Sequence, residues 1–139
     1  MIWAIDFDGV VVKDDRVFHD TTTPLQMIDG CRDGLLALKR AGHVLLLYSG
    51  RTNRARMYMP EFDPLVRAGF VAPHHSAELH ATHYRQMLDF VERELPGIFD
   101  GIDDGRQGKP VADVYLDDRA IRFGSTGATW LELADLYGE

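Results

Sequence analysis

The sequence predicts an α/β domain built on a central parallel sheet. Continuous apolar runs at 2–5, 44–48 and 114–116 indicate strands that are buried on both faces. Amphipathic stretches lie between these runs, and a helix is the usual connection between parallel strands. Because the chain has 139 residues, we expect a single domain that spans residues 1–139.

Caps, breakers and hydrophobic periodicity predict the remaining elements. In the first half we expect a strand at 2–5, a helix around 35–41 that begins at Thr23 or Asp29 and ends at Gly42, and a strand at 44–48. In the middle of the chain we expect helical turns over 53–68 that are broken at Pro60 and Pro64, then a short strand at 70–72 and a polar insertion at 73–83. After these we expect a helix at 84–95, strands at 98–102 and 114–116, and a final helix capped by Thr129. Together these elements predict a three-layer, Rossmann-like fold.

Composition limits the classes of function. The formal net charge of -7 disfavours phosphate-driven binding to nucleic acid, although a local basic patch would still permit it. Cys31 is the only cysteine, so no internal disulfide is expected and a cytoplasmic location fits. The apolar start is short and interrupted by Asp6, which predicts neither a signal peptide nor a membrane partner.

Polar side chains follow three of the predicted strands. They are Asp6 and Asp8 after the first strand, Ser49 and Gly50 after the second, and Asp117 and Asp118 after the last, with Lys109 in the loop before it. Ligands of parallel sheets bind at the carboxyl ends of the strands. Carboxylates at that edge suit Mg²⁺, and a serine with free backbone N–H groups suits a phosphate oxygen. The set outlines a magnesium-dependent phosphoryl-transfer site.

The segment 73–83 contains His74, His75, His80 and His83. The spacing of His80 and His83 would suit a transition metal on one helical face. The alternative, which we favour, is that these histidines are neutral and pack the protein or contact substrate.

The chain resembles the haloacid dehalogenase (HAD) superfamily of phosphatases, particularly its small bacterial and phage members. The resemblance is carried by DFDGV at 6–10, LYSGR at 47–51, Lys109, and YLDDRA at 115–120. These motifs occur in the superfamily's order and span nearly the whole chain.

The resemblance implies a role for each matched residue. Asp6 would be the nucleophile that forms an aspartyl-phosphate, and Asp8 would protonate the leaving group and then activate water. Ser49 would hold the phosphoryl oxygens, and Lys109 would steady Asp6 and the transferred group. Mg²⁺ would be bound by Asp6, the backbone carbonyl of Asp8, and Asp118, with Asp117 beside it.

The chain leaves no room for the full cap domain that relatives use on small metabolites. We therefore expect an open site for a phosphorylated substrate, either a small molecule or the end of a macromolecule, with Gly50, Arg51, His80 and His83 contacting it. The segment 73–83 would form a local lid, or a second copy of the chain would cover the site as a homo-oligomer.

Three alternatives compete with a general phosphomonoesterase. A polynucleotide 3′-phosphatase would be favoured by Arg51, Arg54 and Arg56 near the site, but the net negative charge of the chain argues against it. A non-catalytic binding module would keep the fold without turnover, although all the chemical residues are present. A receiver domain of the CheY type also clusters acids at a parallel sheet, but DxDG at the first strand does not match it.

Overall fold

The computed structural model describes residues 1–14, 20–52, 59–106 and 108–138. Within these ranges the central sheet has four parallel strands in the order β3-β2-β1-β4. The strands are β1 (Ile2–Ile5), β2 (Val44–Leu47), β3 (Gly101–Ile102) and β4 (Val114–Leu116). The predicted α/β class and parallel sheet are confirmed, and β1 is the strand that pairs with both β2 and β4.

Four α-helices accompany the sheet in the described ranges. They are α1 (Cys31–Arg40), α2 (Pro64–Arg67), α3 (Pro73–Glu94) and α4 (Trp130–Tyr137), and short 3₁₀ turns occupy Gly50–Thr52 and Pro60–Phe62. The first helix begins after Gly30, whose φ of 83° places it in the left-handed region, so neither Thr23 nor Asp29 is its cap. The predicted capping box of α4 is confirmed, with Thr129 and Glu132 bonding each other's backbone.

The prediction for 70–95 is wrong in two respects. Residues 70–72 form no strand, and 73–83 is not a separate insertion but the first half of the 22-residue helix α3. Pro73 stands at the helix start, where its missing N–H costs nothing. The helix buries Ser76, His80 and His83 in its first half and Met87, Phe90 and Val91 in its second.

The core lies between one face of the sheet and two helices. Ile5, Leu45 and Leu47 join the buried cluster from the sheet, and Leu35 of α1 and Phe90 of α3 join it from the helices. Strand side chains alternate between the two faces, so these sheet residues point to the same side. Burial on this face fixes the register of β1 and β2, and with it the position where each strand ends.

The other face of the sheet carries the chain that leads into β4. The Tyr115 hydroxyl donates to the Pro110 carbonyl, and the Tyr48 ring meets the Tyr115 ring edge-on. Beyond β4, α4 leaves Trp130 and Leu131 largely exposed. No described helix combines the length and the apolarity that crossing a bilayer requires.

Candidate active site

Acidic or hydroxyl side chains follow every strand of the described sheet. They are Asp6 and Asp8 after β1, Ser49 after β2, Asp103 after β3, and Asp117 and Asp118 after β4. Parallel strands end at the same edge of the sheet, so these groups share one edge. Asp103 directly follows the predicted third strand but belongs to none of the sequence motifs.

Three carboxylates at this edge are close enough to share a cation. Asp6, Asp117 and Asp118 each offer an oxygen, and these oxygens lie within 4.8 Å of one another. One oxygen of Asp6 accepts the Phe7 N–H at 2.8 Å, and one of Asp117 accepts the Arg119 N–H at 2.7 Å. These backbone bonds hold both side chains in place.

Gly9 brings the loop after β1 against the loop after β4. Its φ of +84° lies in the left-handed region, where side chains are strained. A Cβ built on Gly9 would collide with the Asp118 carboxylate. Two features therefore explain the glycine of DxDG: its backbone has a positive φ, and the absence of a side chain leaves room for Asp118.

Asp6 has an unusual electrostatic environment. Its pKa is raised from 3.8 to about 6, chiefly by burial. The Phe7 N–H bond lowers this pKa, and the neighbouring charges of Asp117, Asp8 and Asp118 contribute to the net rise. A cation among these carboxylates would offset that repulsion.

Asp8 does not belong to this carboxylate group, because its side chain pairs with Arg51. Arg51 Nε lies 2.7 Å from one Asp8 oxygen, and Nη2 lies 2.8 Å from the other. The third guanidinium nitrogen donates to the His83 carbonyl at 3.1 Å, and the guanidinium stands over the Phe7 ring. Arg51 is only 8% exposed. Arg51 is predicted to contact substrate, and the contacts that the structure shows for its side chain are internal.

Ser49 is buried in the tight turn that follows β2. Its Oγ accepts the Arg51 N–H at 3.1 Å, which leaves the hydroxyl proton available to a ligand. Thr52 Oγ1 lies 2.7 Å from the Ser49 carbonyl and 3.2 Å from Asp103. Gly50 is exposed, with open space where a side chain would begin.

His80 and His83 are both buried on α3. His80 Nε2 lies 2.9 Å from Asp63, which also accepts the Ser76 hydroxyl at 2.8 Å and the Leu65 N–H at 2.8 Å. Burial alone would raise the pKa of Asp63, but these hydrogen bonds outweigh it and hold that pKa below its ordinary value. Among the described residues, the group of side chains that could hold a metal ion, Asp6, Asp117 and Asp118, contains no histidine. Through its contact with Asp63, His80 helps to pack α2 against α3.

Lys109 lies on the sheet face beside β4. Its Nζ is 4.3 Å from the centroid of the Tyr115 ring, a cation–π contact. Among the contacts of the described residues, none joins Lys109 to Asp6. Arg54 and Arg56 lie outside the described residues.

Comparisons of the chain with protein-family models, with curated proteins and with solved structures found no match. The four motifs therefore carry the resemblance to the HAD superfamily by themselves.

Proposed function

We propose that this chain is a magnesium-dependent phosphomonoester hydrolase of the HAD type, without a full cap domain. The observation that carries the proposal is the carboxylate group of Asp6, Asp117 and Asp118 at the carboxyl edge of the sheet. Asp8 and Ser49 border the same edge. This arrangement agrees with the roles that the sequence motifs imply.

The residues fit a hard divalent cation. Mg²⁺ prefers oxygen ligands and is usually held by one or two carboxylates plus substrate phosphate. Asp6 and Asp118 would hold it, with the Asp8 backbone carbonyl and with Asp117 beside them. The ion would supply positive charge that lets a phosphate dianion approach several carboxylates.

In the proposed first step, an Asp6 oxygen attacks the phosphorus. A bond forms between Asp6 and phosphorus as the bond to the leaving oxygen breaks, and Asp8 gives its proton to that oxygen. In the second step, Asp8 takes a proton from water while the water oxygen attacks the phosphorus. The acyl phosphate bond between the Asp6 oxygen and phosphorus breaks, which releases inorganic phosphate and restores the Asp6 carboxylate. Ser49 donates a hydrogen bond to the phosphoryl oxygens, and the proposal keeps Lys109 as a second cationic contact to them.

Hydrolysis of a generic aryl phosphate, with Mg²⁺ and with chelator, tests the proposal. We expect release of inorganic phosphate that depends on Mg²⁺ and is lost in Asp6→Asn. Treatment with hydroxylamine should intercept the acyl phosphate in the parent and not in the variant. Magnesium-independent release, or equal release by both proteins, would refute the mechanism.

A wider substrate panel decides between a general phosphatase and a polynucleotide 3′-phosphatase. The panel contains sugar phosphates, nucleotides and oligonucleotides with 3′ or 5′ phosphates. We expect small phosphomonoesters to react faster than 3′-phosphorylated oligonucleotides, because the chain is acidic. The reverse order would favour the end-processing alternative, and complete inactivity would favour a binding module.

A further inference from the structure

Arg51 connects three parts of the candidate site. Its guanidinium holds both oxygens of Asp8, its third nitrogen reaches the His83 carbonyl on α3, and its backbone N–H bonds to Ser49 Oγ. One residue therefore joins the proposed acid, the proposed phosphoryl-binding hydroxyl and the longest helix.

We infer that Arg51 is a positioning residue that aims Asp8 at the leaving group. The inference rests on the proposed phosphatase function and deepens it. Arg51 is predicted from the sequence to contact substrate, whereas all three nitrogens of its guanidinium form hydrogen bonds within the protein.

The geometry of the pair supports this role. A two-point contact between a guanidinium and a carboxylate fixes the plane of the carboxylate as well as its distance. The Arg51 side chain is in turn held by the Phe7 ring at 5.1 Å and by the His83 carbonyl. Asp8 therefore cannot rotate freely about its side-chain bonds, and general acid catalysis depends on such alignment.

Burial distinguishes this pair from the other arginine–carboxylate pairs among the described residues. Arg119, which pairs with Asp14, is 77% exposed along its side chain, and Arg93, which pairs with Glu94, is 64% exposed. Exposed pairs of that kind hold their partners weakly. Lysine cannot replace arginine in a two-point contact, so Arg51→Lys keeps the charge and removes the alignment.

A change of leaving group separates positioning of Asp8 from binding of phosphate. Dinitrophenolate departs without a proton, whereas an alkoxide needs one from Asp8. Loss of alignment should therefore slow an alkyl phosphate and spare dinitrophenyl phosphate. A phosphate-binding arginine would serve both esters alike, because the phosphoryl group is the same.

The experiment measures the first step with the full chain and Mg²⁺. Pre-steady-state release of the leaving group from 2,4-dinitrophenyl phosphate and from glycerol phosphate is compared for the parent, Arg51→Lys, Arg51→Ala and Arg93→Ala. Arg93 is the matched control, since it also stands over a phenylalanine ring and pairs with a carboxylate, but on the last turn of α3. Circular dichroism verifies that each protein is folded.

We expect Arg51→Lys to slow the alkyl ester about a hundredfold, the usual scale of general acid catalysis, and the dinitrophenyl ester less than about fivefold. Arg93→Ala should match the parent on both esters. In an Asp8→Asn background, Arg51→Lys should cause no further loss on the alkyl ester, because its effect passes through Asp8. If Arg51→Ala does not fold, Arg51→Lys and this double variant still decide the matter.

Equal slowing of both esters with a raised KM would overturn the inference and make Arg51 a phosphate contact. Parent-like rates for Arg51→Lys on both esters would also overturn it. These results leave the proposed function standing, because the parent remains active. A parent that hydrolyses neither ester with Mg²⁺ would instead refute the function, and the positioning role with it.

Discussion

At the scale of single residues, Asp6 lowers the stability of the folded chain at neutral pH. Its pKa is raised to about 6, chiefly by burial, so the carboxyl ionises at a higher pH in the folded state than in the unfolded chain, where it ionises near 3.8. The stabilising contribution of the protonated form is complete below 3.8 and is lost as the pH rises through about 6. A group with this behaviour is typical of functional sites.

Asp6→Asn should therefore stabilise the metal-free protein while it abolishes turnover. The amide removes the buried charge and keeps the shape, and its oxygen can still accept the Phe7 N–H. We expect a gain of about 1–2 kcal/mol at pH 8, after allowance for solvent screening, and a smaller gain at pH 5. Urea unfolding at both pH values, with chelator present, measures it. A gain independent of pH would contradict the assigned cause.

Gly9→Ala tests the contact between the two acidic loops. The new methyl group would displace the Asp118 carboxylate, so we expect Mg²⁺ affinity to fall at least tenfold. Gly30→Ala is the matched control, because Gly30 has a φ of +83° and no heavy atom lies within 4 Å of where its Cβ would be. Both variants carry similar backbone strain, and both should lose stability. Calorimetric titration with Mg²⁺ should separate them; equal affinities would show that Asp118 does not need this space.

At the scale of secondary-structure elements, α2 and α3 are joined by a buried polar cluster. Asp63 caps α2 and accepts hydrogen bonds from Ser76 and His80 of α3. Because these bonds lower its pKa, Asp63 contributes stability above pH 3.8 and loses that contribution as the pH falls through its folded value. Its effect on stability thus runs opposite to that of Asp6.

Removal of this cluster should be costly. Asp63→Ala leaves two buried donors without their acceptor, and we expect a loss of about 3 kcal/mol in unfolding free energy. Ser76→Ala removes one hydrogen bond to the ionised Asp63 carboxylate and should cost about 1.5–2 kcal/mol. Urea denaturation at pH 7 measures both. Similar small losses would mean that the cluster contributes little to the docking of α2.

The loop before β4 offers a kinetic test of Lys109. The motif assigns this lysine to the transferred phosphoryl, whereas the structure stacks it on Tyr115. We expect Lys109→Ala to lower turnover about a hundredfold, the scale seen when one preorganised donor is lost. Lys109→Arg keeps the charge and should recover part of the rate. A rate within about threefold of the parent would identify a surface lysine.

The sequence predicted β1, β2 and β4 well and α3 poorly, for one physical reason. Strands β1 and β2 are continuous apolar runs, so their ends, and the acids that follow, could be located. The buried stripe of α3 has helical spacing at 76, 80, 83 and 87, but three of these four residues are polar. Hydrophobic periodicity cannot detect a helix face whose burial depends on a partner such as Asp63.

The same limit applies to the candidate site. The edge of the sheet follows from where the strands end, which brings Asp6 and Asp118 together. The pairing of Arg51 with Asp8 depends on the path of β2 beside β1 and on the position of α3. No local pattern encodes that contact, so the sequence could not predict the pairing of Arg51 with Asp8.

At the scale of the whole molecule, a cation at the sheet edge would tie the ends of β1 and β4 together. A ligand that binds only the folded state stabilises it according to its concentration and affinity. We expect millimolar Mg²⁺ to raise the Tm of the parent by several degrees, and the rise to vanish in Asp118→Ala. Asp117→Ala should keep part of it, because one Asp117 oxygen is already bonded to the Arg119 N–H. Circular dichroism melts with Mg²⁺ and with chelator measure the shifts; a larger loss in Asp117→Ala would reverse the assignment of the two acids.

The exposed apolar surface of α4 determines how the protein will respond to optical probes. Of the two tryptophans, Trp130 is 75% exposed, whereas Trp3 is partly buried beside the His43 ring. Emission from Trp130 should lie at long wavelength already in the native state and should be quenched readily by iodide. Native Leu131, Leu136 and Tyr137 also offer apolar surface to environment-sensitive dyes. A thermal melt followed with such a dye would therefore begin from a high signal. Trp130→Phe would leave Trp3 as the single tryptophan, so that the remaining fluorescence would report on β1.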